Sequence, residues 1–400
     1  MANVSQRAQG LGTENAFIVL AEVNKLIREG RDVISFCIGQ PDFHTPMNIQ
    51  DAGVKAIREG RHGYTPSAGI AELRQAVADD FMRTRGIKVD ADDVVVAAGA
   101  KPFIAYTILS TTDYGAGDEV IYPVPGFPIY ESQIKASGAV GVPVYLRESR
   151  NFSFDPQELA DKITPKTKLL ILNSPQNPTG GIIPKKDMEA IAEILRKHPQ
   201  IWIFADEIYG RLIYEGEFVS IASLPGMQER TIISDGCSKT WAMTGWRLGF
   251  AANKKLAPFF TTWITNTESC ASQITQWAGV EALNGPQDDA NRMRDIFHKR
   301  RDLIVSLLNQ VPGVTCKNPG GAFYAWPNVT EACKLTGCKD SEEFRKRLLN
   351  EAGLAVLADI HFGPRVDGEG QHIRLSYAAS DDAIKQGVQR MTDFINKNRV

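Results

Sequence analysis

The sequence predicts an α/β protein in which a large, mostly parallel sheet lies between helices, joined to a smaller α+β unit formed by both chain ends. Three observations predict it. Short, near-continuously apolar runs alternate with helix-patterned segments through the middle of the chain. The 400 residues exceed what one hydrophobic core usually supports, so two packed units are expected. From about residue 288 onward the pattern changes to long charged helices around short strands.

The apolar runs are Val94–Ala98, Val120–Tyr122, Leu169–Leu172, Ile201–Ala205, Thr231–Ser234 and Leu248–Ala251. Strands covered on both faces lose their alternation and read this way. Segments between them, such as Lys185–His198, carry apolar residues at helical spacing, and alternating strand and helix builds a mostly parallel sheet. In the last part, helices are expected over Asp288–Leu308 and Asp381–Lys397, with Ala322–Trp326 and Ile373–Ser376 as strands. In the final helix Ile384, Val388, Met391 and Ile395 share one face, and Ser380 is placed to cap its first turn. The expected division is a large domain over 46–287 and a small domain over 1–45 and 288–400.

Composition narrows the function classes. Hydrophobic residues make up 43% and charged residues 23%, as in ordinary globular proteins. The formal net charge is −2, from 45 basic and 47 acidic residues, so no strong field points to nucleic acid or an anionic membrane. The first residues lack the basic and apolar regions of a signal peptide, and no run of 18 apolar residues occurs. Six cysteines and six histidines are scattered without metal or disulfide spacing. A cytoplasmic protein without bound metal is expected.

Four motifs carry chemistry. Ser234-Asp-Gly-Cys-Ser-Lys239-Thr-Trp-Ala-Met-Thr-Gly-Trp-Arg247 places a lysine in a small-residue loop after a strand, eight residues before an arginine. Alone, such a pair reads as a surface lysine and a structural arginine. Apolar neighbours argue otherwise, because lost hydration lowers the amine's pKa and favours the nucleophilic form. Ala205-Asp206-Glu207-Ile208-Tyr209 puts an acid at the carboxyl end of an apolar strand, where open α/β sheets bind ligands and where an Asp can also cap a helix. Asn173-Ser-Pro-Gln-Asn177-Pro-Thr-Gly180 follows another strand and can be a plain turn. Ala98-Gly99-Ala100-Lys101 joins a strand to a helix, where backbone N–H groups can hold a phosphate.

In this order, with Gly39-Gln-Pro-Asp-Phe43, Tyr64-Thr-Pro-Ser-Ala-Gly69 and His372-Ile-Arg374-Leu-Ser-Tyr377, the motifs resemble fold-type-I pyridoxal-phosphate enzymes, specifically class I aminotransferases of the aspartate-aminotransferase type. The resemblance covers nearly the whole chain. It implies a seven-stranded sheet in the large domain and pyridoxal 5′-phosphate as cofactor. It implies that Lys239 holds the cofactor covalently and moves the α-proton, and that Asp206 pairs with the pyridine nitrogen. Tyr209 and Asn177 would bond the cofactor's phenolic oxygen; Gly99, Ala100, Lys101, Ser238 and Arg247 would surround the phosphate. Phe127 would stack on the pyridine face, where many members have tryptophan. Arg374 would clamp the substrate α-carboxylate with Gly39 and Asn177 nearby. Tyr64 would reach the phosphate of a neighbouring subunit, so a homodimer with shared sites is implied.

Two departures bear on substrate. Gly-Gln-Pro-Asp stands where Gly-Glu-Pro-Asp is commoner. The dicarboxylate-specific members take an arginine from the partner subunit, and no arginine occurs from Leu248 through Ala290. A bacterial subgroup with Gly-Gly-Lys in the phosphate loop is closer, and Lys101 occupies that lysine position. The expected reaction transfers an α-amino group from an L-amino acid, with aspartate favoured, to a 2-oxo acid, with 2-oxoglutarate favoured. An aromatic or alanine-type aminotransferase and a C–S β-lyase are the alternatives. A DNA-binding regulator on this fold is disfavoured because the motifs begin within about 40 residues of Met1, and a nicotinamide enzyme because no strand is followed by GxGxxG.

Overall fold

Residues 3–400 are described by the structure, a computed structural model. Its strands are β1 (Ile34–Ser35), β2 (Val94–Ala97), β3 (Glu119–Val124), β4 (Val140–Tyr145), β5 (Thr167–Asn173) and β6 (Trp202–Asp206). There follow β7 (Thr231–Gly236), β8 (Gly249–Ala252), β9 (Tyr324–Ala325), β10 (Leu354–Ala355), β11 (Leu357–Ala358) and β12 (Ile373–Ser376). Seven form the large sheet in the order β2-β8-β7-β6-β5-β3-β4. All neighbours are parallel except those of β8, which runs against β7 and β2.

Six of these strands lie where the apolar runs predict them, and most of their residues are buried. The seventh, β4, has no such run. It is an edge strand carrying Gly141 and Pro143, with Val140 exposed. An edge tolerates proline and needs no second apolar face, which removes the sequence signal.

The reversed strand positions the site. The carboxyl ends of β2, β5, β6 and β7 share one edge, and the antiparallel β8 starts at that edge. The chain therefore leaves β7, turns, and enters β8 without crossing the sheet. Lys239 and Arg247 belong to this one reversal.

The rest of the chain forms a second sheet, β11-β12-β9, and a short parallel pair, β1-β10. The β1-β10 pair brings Ile34 opposite Leu354, so the early chain is bonded to the late chain. Helices Asp288–Leu308, Ser341–Ala352 and Asp381–Lys397 cover this part. The last has the predicted bounds: Ser380 Oγ accepts from Ala383 N at 3.2 Å, and Asp381 and Asp382 face the positive end of the helix dipole. Its Ile384, Val388, Met391 and Ile395 are buried in one core with Phe297, Phe323 and Tyr324. No helix among the described residues is long and apolar enough to cross a membrane.

Candidate active site

At the shared strand edge lies a cavity of about 450 Å³. Gly39, Ala100, Lys101, Phe127, Asn177, Asp206, Tyr209, Ser238, Lys239, Arg247 and Arg374 all line it. Of the expected residues only Gly99 and Tyr64 do not. Gly99 lies beneath Arg247, and Tyr64 is 88% exposed.

Lys239 is not in a loop. β7 continues past Ser234 to Gly236, because Asp235 and Gly236 stay paired with Phe250 and Gly249, and a one-turn helix, Cys237–Thr240, follows at once. Gly236 permits that tight start, since a Cβ there would come within 2.8 Å of Leu248 O. Lys239 Nζ donates to Gly39 O at 2.5 Å and lies about 6 Å from the rings of Tyr209 and Phe323. Burial pushes the amine down from 10.5 to about 8; Glu14 opposes the shift, while Arg374, Arg247 and Lys101 add to it.

Asp206 ends β6, beside Asn173 at the end of β5. The two are tied by Asn173 Nδ2 donating to Asp206 O at 3.0 Å. The Asp206 carboxyl is 8% exposed, and burial raises it to about 6, against the hydrogen bond that Tyr130 Oη donates at 2.6 Å. No α-helix starts here, so Asp206 is not a helix cap. The next turn carries Tyr209, whose hydroxyl is 2.6 Å from that of Tyr324. Burial pushes both phenols up, so both stay protonated.

Behind Asp206, buried Arg85 donates from Nε to Glu207 Oε2 at 2.6 Å and from Nη2 to Asp235. It lies over the Phe81 ring, and Ser220 holds the other Glu207 oxygen. One guanidinium thus joins the ends of β6 and β7, the strands that carry Asp206 and lead to Lys239.

Two arginines in the cavity lack an acid. Arg374, on β12 and 2% exposed, donates from Nη1 to Asn177 Oδ1 at 2.9 Å and from Nη2 to Cys37 O, while its Nε has no partner. The Tyr324 and Phe362 rings lie 4.6 and 4.9 Å from its guanidinium carbon. Arg247 donates only to backbone, to Thr244 O at 2.9 Å and Ala98 O at 3.1 Å. Gly99, at φ +98°, lets it approach: a Cβ there would come within 2.3 Å of Arg247 Nη2. Arg374 is buried and Arg247 exposed at the cavity, and a guanidinium without a carboxylate is a site for a small anion. Lys101, at the start of helix Lys101–Thr111, is paired with Glu14 at 2.8 Å. The lining thus carries four basic groups (Lys101, Lys239, Arg247, Arg374) against two carboxylates (Glu14, Asp206), which favours a ligand with several negative charges.

The sequence assigns no site role to Tyr130, Asn173, Tyr324, Glu14 or Phe17, all of which line the cavity. Asn173 opens the Asn-Ser-Pro-Gln-Asn-Pro-Thr-Gly motif, and Tyr130 stands three residues after Phe127 on the same turn; those signals were present. Tyr324 and Glu14 have no local signal.

The family described as aminotransferase class I and II matches residues 31–391. Similar curated proteins include an aspartate aminotransferase of Geobacillus stearothermophilus, 38% identical over 98% of both chains. Another is an asparagine–oxo-acid transaminase of Streptococcus mutans, 38% identical over 99% of this chain and 100% of that one. Among solved structures, the aspartate aminotransferase of Rhizobium meliloti superimposes with a TM-score of 0.93 at 32% identity, over the whole of both chains.

Proposed function

The chain belongs to the class I and II aminotransferases and is a pyridoxal-phosphate-dependent transaminase, and we propose that it moves the α-amino group of aspartate to 2-oxoglutarate in two half-reactions at one site. One observation supports this substrate choice above others. Lys101, the cation left once Lys239, Arg247 and Arg374 have their tasks, lines the same cavity, and a second carboxylate can reach it in competition with Glu14. The names of the Geobacillus and Rhizobium relatives point the same way.

The residues present fit the cofactor. A buried carboxyl without a cationic partner, a lysine amine of lowered pKa and an acid-free arginine over Gly99 are what a pyridinium, an aldehyde and a phosphate need. When bound, the cofactor supplies the aldehyde that accepts the amine and the electron sink for the α-carbon.

In this reading each residue has one task. Lys239, neutral in a large fraction near pH 8, is the nucleophile that holds the cofactor, and its freed amine carries the α-proton. Asp206 keeps a proton on the pyridine nitrogen and is itself held by Tyr130. Tyr209 and Asn177 reach the phenolic oxygen; Arg247, Ser238, Ala100 and the Gly99 backbone take the phosphate. Phe127 packs on the ring. Arg374 grips the α-carboxylate, beside Gly39. Tyr64 completes the neighbouring subunit's phosphate site in a homodimer, and the site lies between the 46–287 domain and the domain made of 1–45 and 288–400. The enzyme works in the cytoplasm.

Single half-reactions test the substrate choice, by following the cofactor absorbance of the holoenzyme with each amino acid. Aspartate and glutamate should react at least tenfold more efficiently than alanine or phenylalanine, about 1.4 kcal/mol of discrimination. A reversed order overturns the aspartate assignment and leaves the transaminase class intact. Release of pyruvate and ammonia from a cysteine conjugate would mark the lyase instead.

A further inference from the structure

The Lys101 ammonium is already engaged. Glu14 Oε2 lies 2.8 Å from Lys101 Nζ, and the aromatic rings of Phe127 and Phe17 lie 5.4 and 6.0 Å from the same nitrogen. Glu14 immediately precedes helix Asn15–Arg28, in the position where a side chain normally caps the first turn, yet it makes no capping hydrogen bond. Its carboxylate is used on Lys101 instead. The segment that carries it is fastened to helix Ile129–Ser137, where Gly12 N donates to Ser132 Oγ at 3.0 Å.

We propose that Glu14 is a specificity-determining residue: its carboxylate holds the place on Lys101 that the distal carboxylate of an acidic substrate requires. The inference rests on the acidic-substrate reading above. A transaminase cycle passes two substrates through one cavity, and those substrates can differ in side-chain charge. With an uncharged side chain, Glu14 stays on Lys101 and the ammonium remains paired. With an acidic side chain, two carboxylates meet one ammonium, and Glu14 either yields its place or shares the ammonium against like-charge repulsion. Both partners are partly solvated, with side-chain exposures of 44% and 22%, so the exchange is shallow and reversible. Glu14 therefore lowers the preference for acidic over neutral substrates below what Lys101 alone would give.

The test uses the holoenzyme and two non-reacting probes, succinate and butanoate, with binding measured by calorimetry. Both carry a carboxylate for Arg374, and only succinate carries a second one. Glu14→Gln and Glu14→Ala should each tighten succinate by about two- to fivefold relative to butanoate, the upper part of the range of a partly exposed charge pair. In a Lys101→Ser background the same changes should alter the ratio by less than about twofold, because the coupling partner is gone. The kcat/KM ratio of aspartate to phenylalanine should rise in parallel. If Lys101→Ser weakens succinate but neither Glu14 variant tightens it, the Glu14 proposal falls while the acidic-substrate reading stands. If Lys101→Ser leaves succinate unaffected, both fall.

Discussion

Tyr130 donates its hydroxyl hydrogen to Oδ2 of Asp206 across 2.6 Å, with both side chains buried at the carboxyl edge of the large sheet. The bond favours the ionised carboxylate, yet burial outweighs it and leaves the acid near 6. An acid raised in the folded state costs stability progressively as pH rises from its unfolded value to its folded one.

Asp206→Asn should therefore separate function from stability. Turnover should fall by orders of magnitude, because a neutral amide cannot keep the pyridine nitrogen protonated. The cofactor-free variant should be more stable than the parent by about 1–3 kcal/mol at pH 7.5, since it has no carboxylate to strand. The sign follows from the raised pKa: between about 4 and 6 the folded parent binds more protons than the unfolded chain, so its stability declines as pH rises through that window. Near pH 4 the advantage should vanish. Melting curves of both cofactor-free proteins at pH 4.5 and 7.5 check this, and near-normal turnover would make Asp206 structural.

Lys239→Ala should fold and bind the cofactor without a covalent link, and transamination should be lost. Borohydride reduction of the parent holoenzyme should mark Lys239 alone. In the cofactor-free parent, the rate of covalent pyridoxal-phosphate attachment should rise with pH to a midpoint near 8, not 10.5, because the neutral amine is the reacting form. Labelling of another lysine would refute the assignment.

Arg85→Met should destabilise the protein by about 3–5 kcal/mol, because Glu207 and Asp235 would lose the shared guanidinium and either stay charged in the interior or take up protons there. Chemical denaturation measures it. A loss below about 1 kcal/mol would show that the carboxylates find other partners.

Mixing Tyr64→Ala with Lys239→Ala protein tests the shared site. A heterodimer assembles one intact site from two chains, so random pairing should restore roughly a quarter of the parent's activity. No recovery, in a mixture shown by mass to have exchanged subunits, would place Tyr64 outside the site.

What could be read in advance follows the range of the interactions. Asp206, Asn177, Lys239 and Arg247 were legible because each lies within a few residues of a strand end, and strand ends are marked by where an apolar run stops. The final helix was legible to its bounds because a cap, an apolar face and flanking charges agree over Ser380–Lys397. The edge strand β4 was not, since exposure, Gly141 and Pro143 erase the periodic signal. Lys239 was expected in a loop because pairing of Asp235 and Gly236 with β8 is a property of two strands, not of one run. Tyr324 meets Tyr209, and Glu14 meets Lys101, only through the folded chain, at separations of 115 and 87 residues.

The reversal between β7 and β8 has a further consequence. It gathers Lys239 and Arg247 into one short stretch on the large sheet, whereas Arg374 stands on a different sheet and meets the loop after β5 through Asn177. With the roles proposed above, cofactor retention and the grip on the α-carboxylate rest on different segments of the chain. A lineage can remodel β12 and the segment around Glu14 to accept a new amino acid while the part that retains the cofactor stays as it was.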